Sequence, residues 1–472
     1  MIELPTLQPE SFRDHISTVD KDGKRVWVYP KKPKGKFTRY RNYVGYTLLA
    51  FFFIAPFVRI NQEPLIMLNV LERHFVLFGI VFWPQDFHLF LLATLALIVF
   101  VVLFTVIYGR VFCGWACPQT IFMELVFRKI EYWIEGDWKQ QKLLNDSPLT
   151  QNKIVKKVFK HSVFFAISFI ISNLFLTYII GTDAWIKMIS DNPLKHIGGL
   201  SSMFIFTAVF YFVYAKFREQ VCTTVCPYGR LQGVMLDKKS IVVAYDYVRG
   251  ENRAKIHKHE DRVLAEKGDC IDCHHCVDVC PTGIDIRNGL QMECINCTAC
   301  IDACDDILTK VGFQTGLIRY ASEEGIAERK PFKFTKRIAA YSSVLLILIF
   351  SLALLLITRP DVETSILRTP GILYQKQGEM AYSNLYNLKI VNKTRNGLNL
   401  NFKLENLPGE IRMVGKVPDV KAQAISEGAM FVILAKSQIN AMKTKLEIGV
   451  YEGTRKIETV STTFISPGTN KN

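Results

Sequence analysis

Apolar residues dominate five stretches of the chain, at about 40–60, 87–108, 161–181, 198–216 and 337–358. A hydrocarbon core takes roughly 20 such residues in helical form, so each stretch predicts a transmembrane helix. Ile338 to Ile357 is the clearest of them. Phe75 to Trp83 is apolar but short, and predicts a re-entrant or interfacial piece rather than a sixth span. From about Asp361 the period changes. Leu398, Leu400, Phe402 and Leu404 alternate with polar residues, as do Leu446, Ile448 and Val450, and Asn396-Gly397 and Glu452-Gly453 mark turns. Period-two alternation with spaced turns predicts an immunoglobulin-like β-sandwich with a structural or docking role.

Charge orients these elements. The 472 residues carry a formal net charge of +15. Lys31, Lys32, Lys34, Lys36, Arg39 and Arg41 precede the first stretch. Arg110, Arg128, Lys129 and Lys139 follow the second, and Lys330, Lys333, Lys336 and Arg337 precede the fifth. The loops after the first and third hold few basic residues. By the positive-inside rule the N-terminus is cytoplasmic and the C-terminus periplasmic. Basic residues that flank apolar runs, without a nucleic-acid motif, speak for a bilayer and against nucleic acid as the partner. The polar N-terminus, with no apolar stretch before about Tyr43, predicts no cleavable signal peptide. The expected order is a cytoplasmic segment 1–39, a four-span core 40–216, a cytoplasmic cluster domain 217–336, a fifth helix 337–358 and a periplasmic domain 359–472.

All twelve cysteines lie between Cys113 and Cys304. Under this topology each is cytoplasmic or at the cytoplasmic end of a span. Cys270, Cys273, Cys276 and Cys280-Pro281 repeat as Cys294, Cys297, Cys300 and Cys304. This is the two-cluster ferredoxin spacing, in which the fourth cysteine of each run ligates the other cluster. Three thiolates on one tight loop cap three corners of a cubane, and the fourth corner needs a ligand from another direction. Cys270, Cys273, Cys276 and Cys304 are therefore expected to hold one [4Fe-4S] cluster, and Cys294, Cys297, Cys300 and Cys280 the second. Zinc also uses paired CxxC motifs, but eight cysteines in duplicated register argue against it. Asp305 follows Cys304 where Pro281 follows Cys280, which weakens the turn argument for the second run. His274 and His275 lie inside the first run, and His257 and His259 precede it. They read first as solvated loop positions.

The remaining four cysteines form two pairs, Cys113-x3-Cys117-Pro118 and Cys222-x3-Cys226-Pro227, each after a membrane span. Gly109-Arg110 precedes the first pair and Gly229-Arg230 follows the second, which suggests an internal duplication of a two-span unit. If helical, each pair sets its thiols one turn apart on one face, with the proline where the helix ends or bends. Four such thiolates suit Cu(I), zinc or an iron–sulfur cluster, or a disulfide relay. Spacing does not select among them.

These residues together resemble the cytochrome c oxidase accessory protein family, also called FixG, RdxA or CcoG. The resemblance rests on Cys-Gly-Trp-Ala-Cys-Pro at 113–118, Cys-Thr-Thr-Val-Cys-Pro-Tyr-Gly-Arg at 222–230, the two-cluster motif, the final span and the β-domain. It implies a role in assembly of the cbb3-type oxidase, with reduction of Cu(II) to Cu(I) for its copper centre. It also implies that Cys113, Cys117, Cys222 and Cys226 are the redox or copper residues, and that oxidase subunits or copper-delivery proteins are partners. Electron transfer follows from the residues themselves; copper follows only from the resemblance. The paired CxxxCP motifs also occur in quinol-oxidising membrane subunits of the NapH type. That leaves a quinol-oxidising carrier as one alternative and a non-enzymatic assembly factor as another.

Overall fold

The computed structural model describes residues 18–467, apart from 21, 61–62, 71–73, 83–85, 258–259, 263, 330–334, 395, 416–419, 423 and 440. It divides into two compact units, 1–352 and 353–472.

Among the described residues four helical stretches are long and apolar enough to cross a bilayer: Phe87–Tyr108, Gln151–Ile180, Pro193–Phe217 and Lys336–Ile357. They coincide with the second to fifth expected spans, although Gln151–Ile180 starts ten residues earlier than its apolar run. There Thr150 caps the helix by accepting from the Lys153 amide. The first expected span is a helix only over Lys36–Ile54. Its first two turns carry Lys36, Arg39 and Arg41, so its apolar part covers about 18 Å at the helical rise. Beyond Ile54 the chain turns into a short hairpin, Arg59–Ile60 against Glu63–Pro64.

The short apolar segment after it is a three-stranded antiparallel sheet, Ile66–Asn69, His74–Leu77 and Ile80–Phe82. Met67, Val76 and Val81 form its core. Phe78 and Gly79 take positive φ at the tight turn between its last two strands. Trp83 lies outside the described residues.

The cluster domain is built on a two-stranded sheet, Val242–Tyr245 with Ile318–Ala321. Val243, Tyr245, Ile286, Ile301, Leu308, Leu317 and Ile318 pack its core together with Cys270 and Cys276. The helix Ala299–Val311 lies against it and stops at Gly312, whose φ of +79° forms a left-handed cap. The N-terminal segment is tied to the same domain. The Lys31 amide donates to Asp278 O (2.7 Å), and the Phe37 and Thr38 amides donate to the Asp302 carboxylate (3.0 and 2.6 Å).

The second unit is a β-sandwich. One sheet runs Glu410–Val414, Ile425–Ala435, Ala381–Asn392 and Val362–Arg368, with Gln375–Gln377 also on Ala381–Asn392. The other runs Leu400–Leu404, Lys443–Glu452 and Arg455–Ile465. Leu446, Ile448 and Val450, three of the alternating residues, are fully buried with Tyr386, Leu388, Ile390, Met430, Val432 and Phe464. The asparagine of Asn392-Lys393-Thr394, which has the form of a glycosylation tripeptide, is interior. Asn392 is buried and donates to Asn396 O (2.7 Å) and Lys421 O (3.0 Å), while its Oδ1 accepts from Thr394.

Candidate cluster and thiol sites

The two cysteine runs fold into matching turns. Asp272 and Asn296 have φ of 52° and 53°, and His274 and Thr298 have φ of 58° and 63°. Such residues hold left-handed backbone at a cost, and here they do so at equivalent positions. Alternating right- and left-handed residues turn successive backbone N–H groups to one side, the geometry of an anion nest.

Each turn walls one cavity, and the walls are crossed. Cys270, Cys273 and Cys276 line a cavity together with Cys304. Cys294, Cys297 and Cys300 line another together with Cys280. Cys276 borders both. The rest of each wall is largely apolar, with Tyr245, Leu308, Leu317 and Ile318 on the first and Val243, Ile284, Ile286 and Ile295 on the second. Burial pushes the thiols of Cys294 and Cys304 up to about 12 and also raises Cys276, Cys297 and Cys300. Thiols crowded in such a place become thiolates only when a cationic partner supplies the charge, as ligated iron does. The residues therefore fit the two clusters their spacing implies.

Asp305 also finds its reason. Cys304 sits inside the helix Ala299–Val311, where proline would break the backbone ladder. Asp305 Oδ1 instead accepts from the Gly316 amide (2.8 Å). Cys280 follows the one-turn helix His275–Asp278, and Pro281 continues away from it. The histidines are held by neighbours. The His274 ring lies 2.9 Å from Arg287 Nη2, and His275 Nδ1 lies 3.4 Å from Lys31 Nζ. Arg287 in turn pairs with Asp285 and Asp272. Of the earlier His257 and His259, the second lies outside the described residues.

The membrane-edge pairs are also duplicates, in a register the sequence reading missed. Gly109 ends the helix Phe87–Tyr108 with φ 56°, ψ −130°, and Arg218 ends the turn Val213–Phe217 with φ 55°, ψ −123°. Four residues later come Cys113 and Cys222. The Cys117 amide then donates to Phe112 O (2.9 Å), and the Cys226 amide to Val221 O (2.8 Å). Cys117 and Cys226 are both extended, and Pro118 and Pro227 both open a helix. Gly109 thus corresponds to Arg218, not to Gly229, and Arg110 to Glu219. The helical expectation for each pair is corrected at the same point. The thiols straddle a helix break, and the prolines begin the next helix because their lost N–H is unused at its first position.

The four thiols lie in one neighbourhood. Cys117 and Cys226 stand close enough to Cys113 to act on its ionisation, and Cys117, Cys113 and Cys226 act on Cys222. Burial drives Cys113 up to about 11 and Cys222 up to about 12. Cys113 Sγ donates to Gln232 Oε1 (3.4 Å). Among the described residues no three such side chains converge at single-ion spacing.

Beneath these turns runs a buried ion-pair chain that spacing did not reveal. Arg41 reaches Glu124 (3.8 Å), Glu124 pairs with Arg128 (3.1 Å), and Arg128 faces Glu219 (3.8 Å), which pairs with Arg25 (2.9 Å). Glu131 pairs with Arg218 and Lys160, and Lys160 and Lys157 with Glu135. Arg41 also donates to Cys297 O (3.1 Å), joining this chain to the second cysteine turn. Charged residues inside or beside apolar runs were the available signal.

Crossed four-cysteine cavities on duplicated turns, beside apolar helices of membrane length, define a membrane iron–sulfur electron-transfer protein. Residues 217–323 match the family described as 4Fe-4S dicluster domain, 90–139 a 4Fe-4S binding domain, and 352–467 the IG-like fold at the C-terminal of FixG. The chain is 31% identical to the nitrogen fixation protein FixG of Rhizobium meliloti over 83% of this chain and 82% of that one. It is 35% identical to RdxB and 33% identical to RdxA of Cereibacter sphaeroides, each over 78% of this chain and 80% of the relative. A FixG-related protein from Vibrio parahaemolyticus aligns with 22% of this chain and 96% of its own, at 22% identity and a TM-score of 0.19. The chain belongs to the FixG/RdxA family.

Proposed function

We propose that this protein reduces Cu(II) to Cu(I) at the cytoplasmic membrane, in the service of cbb3-type oxidase assembly. In this reading Cys270, Cys273, Cys276 and Cys304 hold one [4Fe-4S] cluster, and Cys280, Cys294, Cys297 and Cys300 the other. When bound, the clusters supply one-electron chemistry at a potential their surroundings tune. Cys113, Cys117, Cys222 and Cys226 take the copper ion as substrate, and soft thiolates favour Cu(I). One electron converts each Cu(II) to Cu(I), so no proton or second reductant is needed at this step. Oxidase subunits or copper-delivery proteins receive the product, and a separate donor reduces the clusters. The observation that supports the reading is that Cys113 packs in one apolar cluster with Cys297, and Cys222 shares a cavity with Pro281, Thr282 and Ile295, so that one thiol of each pair reaches the second cysteine run.

The proposed topology has five crossings, with clusters in the cytoplasm and the β-sandwich in the periplasm. Beyond the basic flanks, contacts along the helix Lys36–Ile54 support the first crossing. It begins on the cluster domain at Thr38 and Arg41. It ends with Phe52 stacked on Tyr178, near the opposite end of Gln151–Ile180. Arg59 then pairs with Asp183 just beyond that end.

A second reading is favoured by one finding: the match to a 4Fe-4S binding domain at 90–139 spans Cys113 and Cys117. The four thiols would then hold a third cluster. One experiment separates the two. Each membrane-edge cysteine is replaced by serine, the anaerobic protein is reduced, and iron and Cu(I) formation are measured. Copper reduction is expected to be abolished with iron unchanged at about eight per chain. A loss of about a third of the parental iron would establish a third cubane instead. Unchanged copper reduction would exclude these cysteines.

A further inference from the structure

The membrane-edge thiols are not equally placed toward the two cluster cavities. Gly114 is packed on the second cysteine turn so closely that an added Cβ would stand 2.4 Å from Ile295 O and 3.0 Å from Cys297 Cα. The Trp115 indole N–H donates to Asn296 O (3.3 Å). Cys113 lies in one apolar cluster with Val279, Ile295, Cys297 and Ala299. From the other half, Cys222 shares a cavity with Pro281, Thr282 and Ile295, the neighbours of Cys280 and Cys294. Cys273, in the first run, is exposed.

Arg110 occupies the junction. It is 5% exposed, donates to Met292 O two residues before Cys294, and keeps a buried Nε with no partner. It borders a wide cleft that also reaches Cys222 and is walled by Leu290, Gln291, Met292 and Glu293. The duplication makes this cation unusual. Its counterpart in the second turn is Glu219, whose charge is absorbed by Arg25 and Arg128. The two halves are alike in backbone and opposite in charge here.

We infer that Arg110 is a positioning residue that couples the membrane-edge thiols to the second cysteine run, so that whatever Cys280, Cys294, Cys297 and Cys300 hold is their immediate redox neighbour. The cavity of Cys270, Cys273, Cys276 and Cys304 is then the outer station of the path. A buried cation is weakly screened and stabilises the more negative, reduced form of a nearby centre.

The inference rests on the cluster reading above and is tested on the full-length anaerobic protein. The two EPR signals are first assigned with Cys273→Ser and Cys297→Ser. In Arg110→Gln the midpoint potential of the second-run centre is expected to fall while that of the first stays put. Arg110→Lys, which keeps the charge, should restore most of the shift. Equal shifts of both centres, a shift confined to the first, or no shift would overturn the inference. If Arg110→Gln loses the second centre altogether, a second measurement decides. A nitroxide is placed on Cys113 with Cys117, Cys222 and Cys226 changed to serine and Arg110 intact. Faster relaxation of the nitroxide is expected from the paramagnetic second-run centre, and an enhancement that comes from the first-run centre instead would overturn the inference. Iron-free protein would overturn the cluster reading and this inference with it. Two intact centres with unmoved potentials would overturn this inference alone.

Discussion

Gly114 carries more of the architecture than its size suggests. An added Cβ on it would meet backbone rather than side chain: Ile295 O and the Asn296–Cys297 peptide. Backbone of a folded turn cannot rotate aside as a side chain can, so a methyl group here is expected to force the two turns apart. Overpacking of this kind costs about 1–3 kcal/mol. Gly114→Ala should lower the unfolding temperature in detergent and reduce iron at the second run before the first. Arg218 is the converse case. It holds φ 55°, ψ −123°, a region that glycine adopts at its counterpart Gly109, and its ion pair with Glu131 keeps it there. The cysteine spacing was legible in the chain because a cubane dictates it. Gly114, Asn296 and Arg110 were not, because their roles depend on a contact between segments some 180 positions apart.

At the scale of elements, crossed ligation and the buried ion chain each make a distinct demand. Cys280 stands in the wall of the cavity made by Cys294, Cys297 and Cys300, and Cys304 in the wall of the other. Cys280→Ser is therefore expected to alter the EPR signal of the second-run centre, and Cys304→Ser that of the first. The pairing by sequence proximity would give the reverse. In the ion chain, burial alone would raise the Glu131 carboxyl, but Arg218, Lys160 and Arg128 outweigh it and hold it below the ordinary range. Glu131→Gln strands those cations, and breaking a buried pair costs about 3–5 kcal/mol. The drop should appear as a lower unfolding temperature at neutral pH. Because the folded carboxyl is the stronger acid, its contribution is complete above the ordinary carboxyl pKa. It is lost as the pH falls through the lower folded value. The gap between parent and variant should therefore close only in acid. The apolar runs predicted four of the long helices, three to within about five residues and Gln151–Ile180 ten residues short at its start. They did not predict the helix breaks at Cys117 and Cys226, because a proline that opens a helix and one that ends it look alike in a linear pattern.

For the whole molecule the question is sidedness. A reporter enzyme active only outside the cytoplasm, fused at the C-terminus, is expected to be active, and the same reporter near residue 320 inactive. The reverse pair would invert the topology, and activity at neither site would remove one crossing. The helix Lys36–Ile54 is where the expectation from composition was weakest, since three cations occupy its first turns. Its contacts at both ends, on the cluster domain and on Tyr178, are tertiary facts that no hydropathy window contains. The β-sandwich was more legible: Leu446, Ile448 and Val450 alternate in the chain and all three are buried. Its strand order was not, because pairings such as Ile425–Ala435 beside Ala381–Asn392 join segments separated by two strands, Leu400–Leu404 and Glu410–Val414, that go to different sheets.

The duplicated turns have a consequence for biogenesis. A site whose donors come in equal halves from two hairpins behaves as a coincidence detector. Either hairpin alone presents two thiols, and two thiols grip a soft metal far less firmly than four. A chain halted between Cys117 and Cys222, or one with a single hairpin inserted, would leave the metal free to exchange. If these four thiols hold the metal proposed above, firm retention begins only when both halves are in place and closed on each other. Metal occupancy at Cys113, Cys117, Cys222 and Cys226 would thereby report that the membrane core has been completed, before any electron has moved.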